Sequence, residues 1–65
     1  MEELLRKISR FIVENFSFIS QWVLKLIENI VGRPMPTYPT IPTIMEYLRS
    51  VNTSTLEYIG KILGV

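Results

Sequence analysis

From Glu2 to Val31 the chain carries neither proline nor glycine, and its apolar residues recur at helical spacing. A rotation of roughly 100° per residue gathers Leu4, Leu5, Ile8, Phe11, Ile12, Phe16, Ile19, Trp22, Val23, Leu26, Ile27 and Ile30 on one side. Glu3, Lys7, Arg10, Glu14, Ser17, Gln21, Lys25 and Glu28 take the other. Glu3–Lys7 and Lys25–Glu28 have the spacing of neighbours on a helix surface. The pattern predicts one amphipathic helix over residues 2–31, about 45 Å long at 1.5 Å per residue. Gly32 followed by Pro34 supplies its stop, because glycine accepts the left-handed closing residue and proline cannot continue the ladder.

Prolines at 34, 36, 39 and 42 follow. Each holds φ near −65° and keeps its preceding residue out of the α region. An extended, polyproline-like connector over residues 32–42 is expected. It is longer than the roughly 2 to 8 residues that usually join antiparallel helices. Beyond it, Thr43 with Glu46 and Ser54 with Glu57 have the spacing of capping boxes. "TIMEYLRSV" at 43–51 and "STLEYIGKI" at 54–62 resemble one another at an offset of eleven. Eleven residues make three helical turns with little drift, so Ile44, Tyr47, Leu48, Val51, Tyr58, Ile59 and Ile62 share a stripe. The second arm reads as a helix over 43–63, kinked near Asn52 where "VNTST" is rich in cap formers and β-branched residues, with two short helices as the alternative. Lys61 and Gly64 suit its C-terminal end. The fold class expected is all-α, a single helical hairpin domain over residues 1–65 with a long first arm and a shorter second.

Size sharpens this reading. A chain of 65 residues buries only about 60% of its unfolded surface and gains from a disulfide, a metal or a partner chain. With neither cysteine nor histidine, disulfides, thiolate or imidazole zinc sites, cysteine nucleophiles and the usual general base are all excluded. Association with itself or with a larger complex is what remains. The apolar arc of the first helix spans about half its circumference, and one partner helix covers only part of such an arc. The self-association interface is therefore expected at Ile8, Phe11, Ile12, Asn15, Phe16, Ile19, Trp22, Val23, Leu26, Ile30, Leu48, Val51, Ile59 and Ile62. Asn15 falls within that stripe, where a lone amide either selects register and oligomer number or sits at the rim in water. Gly60, four residues before Gly64, is a candidate for close helix contact.

Charge and motifs add little chemistry. The net charge is +1, too small to steer nucleic acid, and Arg6, Lys7 and Arg10 alternate with Glu2, Glu3 and Glu14, so DNA is an unfavoured partner. The six acidic residues are all glutamates at helix-surface or capping positions, which points to no catalytic group, no cofactor and no metal. "RPMPTYP", Arg33–Pro39, matches the basic-x-x-Pro-x-x-Pro pattern of SH3 ligands, but a strut of prolines shows the same pattern. The Asn-x-Ser triplets at Asn15 and Asn52 lack a secretory context, since "MEELLRKIS" is not ordered like a signal peptide. The expected setting is intracellular or within an assembled particle. Function reads as a non-enzymatic structural or assembly protein. A membrane-interface helix is the alternative from another class, and a dimeric nucleic-acid-binding hairpin is a third.

Overall fold

A computed structural model describes residues 2–65. It is all-helical: α1 (Glu2–Glu14), a 3₁₀ turn (Phe16–Phe18), α2 (Gln21–Val31), α3 (Ile41–Leu48) and α4 (Thr53–Leu63). The described residues measure 26 × 22 × 20 Å, too short in every direction for a straight helix of about 45 Å. The expected continuous helix over 2–31 is thus corrected to two helices that meet at a corner. Asn15 makes the break. Its φ of −116° and ψ of 18° leave the helix, and its Nδ2 donates to the Phe11 carbonyl at 3.0 Å. Its own carbonyl accepts from the Phe18 and Ile19 amides at 2.9 and 3.0 Å. Asparagine, serine and aromatic residues are mediocre helix formers, and asparagine and serine side chains compete for backbone groups. The run Asn15-Phe16-Ser17-Phe18-Ile19-Ser20 is therefore a helix end and a helix start in succession, with Ser20 as the N-cap residue of α2.

The second arm is also divided. α3 starts at Ile41, two residues earlier than the capping box at Thr43 suggests, because Thr40 is its N-cap and Pro42 fits the first turn. α4 is capped by Asn52, whose Oδ1 accepts the Thr55 amide at 2.9 Å and the Ser54 hydroxyl at 3.2 Å. The expected kink near Asn52 is a full break between helices, and the long hairpin becomes a bundle of four short helices. Gly32 and Gly64 close α2 and α4 in the left-handed region, at φ of 85° and 81°, as their sequence positions predict.

The core gathers about α1, on which α3 and α4 both pack. Ile8, Ile12, Ile27, Ile44, Leu48 and Ile59 are wholly buried there, one or two from each helix. Ser9 is the one buried polar residue among those described. Its hydroxyl donates to the Leu5 carbonyl at 2.8 Å, so it adds no unsatisfied group. Gly60 is buried too, facing Leu4 and Ile8 of α1. An added Cβ would stand 3.7–3.8 Å from its neighbours, ordinary contact, so the helices approach there without requiring glycine.

Residues 33–40 are non-helical, with bends at Arg33, Thr37 and Tyr38, and they are clasped to the bundle. The Glu28 carboxylate accepts the Met35 amide at 2.8 Å. The Tyr47 hydroxyl donates to the Arg33 carbonyl at 2.6 Å, and the Arg33 guanidinium donates back to the Tyr47 carbonyl at 2.8 Å. The guanidinium carbon also lies 5.7 Å from the centre of the Tyr47 ring, within cation–π range. Burial, helped by the Glu28 charge and opposed by Arg33, raises the Tyr47 pKa above the ordinary phenol value of 10.0. Arg33, the basic residue of the SH3-like pattern, is engaged by its own chain. Met35 packs on the core while Tyr38 stands in solvent.

Candidate functional site

The fold sorts the expected interface residues into two groups. Ile8, Ile12, Leu48 and Ile59 are wholly buried within the chain's own core. They are unavailable to a second molecule, and their placement in a self-association surface is corrected: α3 and α4 already cover that face of α1. Phe16, Ile19, Val23, Ile30 and Val51 are partly buried against the same core, and Leu26 is half-buried. Asn15, half-buried, turns its amide back onto Phe11 instead of into an apolar seam. Gly60 lies in an internal helix contact. Of the expected residues only Trp22 is left fully at the surface, 68% exposed, with Phe11 and Ile62 partly covered; Phe18, which the apolar stripe did not include, is 87% exposed.

Local geometry explains the exposure. Phe16, which opens the 3₁₀ turn, and Ile19, extended just after it, both pack on the core, and Phe18 between them is turned outward. In α2 the buried positions are Leu24 and Ile27, and at roughly 100° per residue Trp22 falls nearly opposite their midpoint. Both rings thus project from the corner that Asn15 creates. Beside them lies a cleft of about 220 Å³ lined by Phe11, Asn15, Phe18, Ile19, Ser20, Val23, Ile62 and Leu63. No charged side chain lines it. The consecutive run from Phe11 to Val23 supplies most of the lining, and the end of α4, distant in sequence, closes it with Ile62 and Leu63.

The other concavities differ in character. A shallow one of about 470 Å³ lies over the Arg33–Tyr47 clasp and includes Glu46. Another, about 320 Å³, is rimmed by Glu2 and Arg49 at the α3–α4 turn, which approach to 4.0 Å. The outer face of α1 presents Glu2, Glu3, Arg6, Lys7 and Arg10 together. Charges of both signs occur in each, and such surface pairs contribute little. The ion pairs formed are Arg10–Glu14 at 3.8 Å, Arg49–Glu46 at 3.4 Å and Arg49–Glu2. Glu28 binds the Met35 amide and is not among them, and Glu3–Lys7 is not either.

Among the described residues no group of histidine, cysteine, aspartate or glutamate side chains could hold a metal ion, and no helix is long and apolar enough to cross a membrane. Comparison with protein-family models, curated proteins and solved structures finds no match for this chain.

Proposed function

We propose that the chain is a non-enzymatic assembly protein that buries the Phe18–Trp22 edge by association with protein, in a homo-oligomer or as a small subunit of a larger complex. One observation carries this reading: Phe18 and Trp22 stand in water on either side of the Asn15–Ser20 corner, and Phe18 edges an uncharged cleft, whereas the other exposed large apolar residues, Tyr38, Tyr58 and Val65, line no such cleft. Burying an aromatic side chain of this kind contributes about 1.5–3 kcal/mol. Aromatic anchors around a desolvated centre are what protein interfaces are built on.

The same two rings favour a second reading, contact with a membrane surface, because tryptophan and phenylalanine suit the boundary between headgroup and acyl chain. The charge pattern of the two helices speaks against it. The exposed charges of α1 and α2 mix Arg6, Lys7, Arg10 and Lys25 with Glu2, Glu3 and Glu14, and lipid-bound helices carry a large excess of cations. Vesicle co-sedimentation, run beside sedimentation in plain buffer, decides. The assembly reading predicts a concentration-dependent mass without lipid and no pelleting with anionic vesicles. Pelleting of a chain that is otherwise monomeric would overturn it.

A further inference from the structure

We infer that the partner seated on this edge is a second copy of the chain, joined about a two-fold axis so that Phe18 of each copy enters the cleft of the other. This rests on the assembly reading and specifies its geometry. Three observations lead to it. First, the projecting ring and the cleft adjoin one another, since Phe18 forms part of the cleft rim. When knob and hole lie on one edge, both contacts form together about a two-fold; a head-to-tail contact would need them on separate faces. Second, at about 220 Å³ the cleft falls below the roughly 300–1,000 Å³ of small-molecule sites, and its size suits one large side chain. Third, the lining carries no formal charge, so two identical edges meet without repulsion.

The areas agree with a closed pair of modest strength. Aromatic side chains bury about 150–250 Å² each, and Phe18 and Trp22 are 87% and 68% exposed. Two rings from each of two copies supply roughly 500–800 Å², and the small cleft walls add little, so the total stays below the roughly 1,000 Å² of a stable specific interface and fits a weak, transient pair. A dimer that dissociates at micromolar concentration or above follows.

Sedimentation velocity of the full chain, from micromolar to millimolar concentration, tests this alongside Phe18→Ser and Ile62→Glu. The expected result is a mass that rises to two chains and stops. Both variants remain single chains at every concentration, with an unchanged helical circular dichroism spectrum. Ile62→Glu places a carboxylate in the cleft, so it attacks the hole as Phe18→Ser attacks the knob. Growth beyond two chains would overturn the closed exchange and leave the assembly reading standing. A dimer that survives both variants would also overturn the exchange, whereas a single chain at all concentrations would overturn both. If either variant loses its helical spectrum, Phe18→Leu replaces it, with weakened but detectable dimerisation expected and an unweakened dimer contradicting the proposal.

Discussion

α1 and α2 carry the same kind of apolar spacing and meet opposite fates. Every large apolar residue of α1 is buried or partly buried, held between α3 and α4. α2 turns Leu24 and Ile27 inward, yet leaves Trp22 in water, as the preceding turn leaves Phe18. Apolar periodicity therefore states that a face will be covered, not by what. In α1 the cover comes from the chain itself, because Asn15 ends the helix and the following segments fold back. At the corner the cover is missing from the chain. A residue that looks like an interruption of the stripe is what separates a sealed region from an open one.

The largest effects lie on the sealed side. Ile8→Ala removes a fully buried side chain and should cost about 2–5 kcal/mol, read from urea or thermal unfolding. A loss under about 1 kcal/mol would mean that α1 is not the centre of the core. Next comes the clasp. Arg33→Ala deletes a charge-assisted bond to the Tyr47 carbonyl and should cost about 1 kcal/mol, at or below the low end for hydrogen bonds to charged groups because Arg33 is largely exposed. A strut free of the bundle would show no change.

Tyr47→Phe separates the hydroxyl bond from the ring, with a loss of about 1 kcal/mol at neutral pH. The raised Tyr47 pKa also has a sign. The folded state holds the phenol proton more tightly than the unfolded state, so this contribution is complete below pH 10.0 and disappears as pH rises through the higher folded value. Thermal melts at alkaline pH should therefore fall more steeply for the natural chain than for Tyr47→Phe. Parallel curves would place the phenol in water.

Gly60→Ala has the opposite direction. The helix gains up to about 1 kcal/mol from alanine over glycine, and the added methyl finds contacts at 3.7–3.8 Å without a clash. A drop in melting temperature would show that α4 lies closer to α1 than that. The smallest effect on folding belongs to the open corner. Trp22→Ser should change unfolding free energy by no more than about 0.5 kcal/mol, as exposed substitutions do, while weakening association.

The helical character, both left-handed glycine ends and the weak point near Asn52 were legible in the chain, because capping residues, breakers and periodicity act locally, although the favoured single arm proved to be two helices. The break at Asn15 was signalled less strongly. With no proline or glycine present, the signal lay in Asn15, Ser17 and Ser20, residue types whose side chains compete for backbone groups. Trp22 and Phe18 could not be placed without that break, since a single rotation about one axis puts Trp22 inward and a corner puts it outward. The cleft was beyond reach for another reason. Its walls come from α1, α2 and α4, and no local pattern records that Phe11 and Ile62 line one cleft. The Arg33–Tyr47 clasp spans fourteen residues and joins groups that resemble a ligand motif and a core aromatic when each is viewed alone.

Trp22 is the chain's single tryptophan, and its emission reports on the open corner directly. Fluorescence followed from nanomolar to millimolar concentration, with circular dichroism on the same samples, tests whether the bundle folds alone and associates through that corner. The account predicts red-shifted, water-exposed emission at low concentration and a blue shift as concentration rises. Phe18→Ser should abolish the shift, and helical content should stay constant throughout. Blue-shifted emission already present at the lowest concentration, or helical content that falls on dilution, would contradict it.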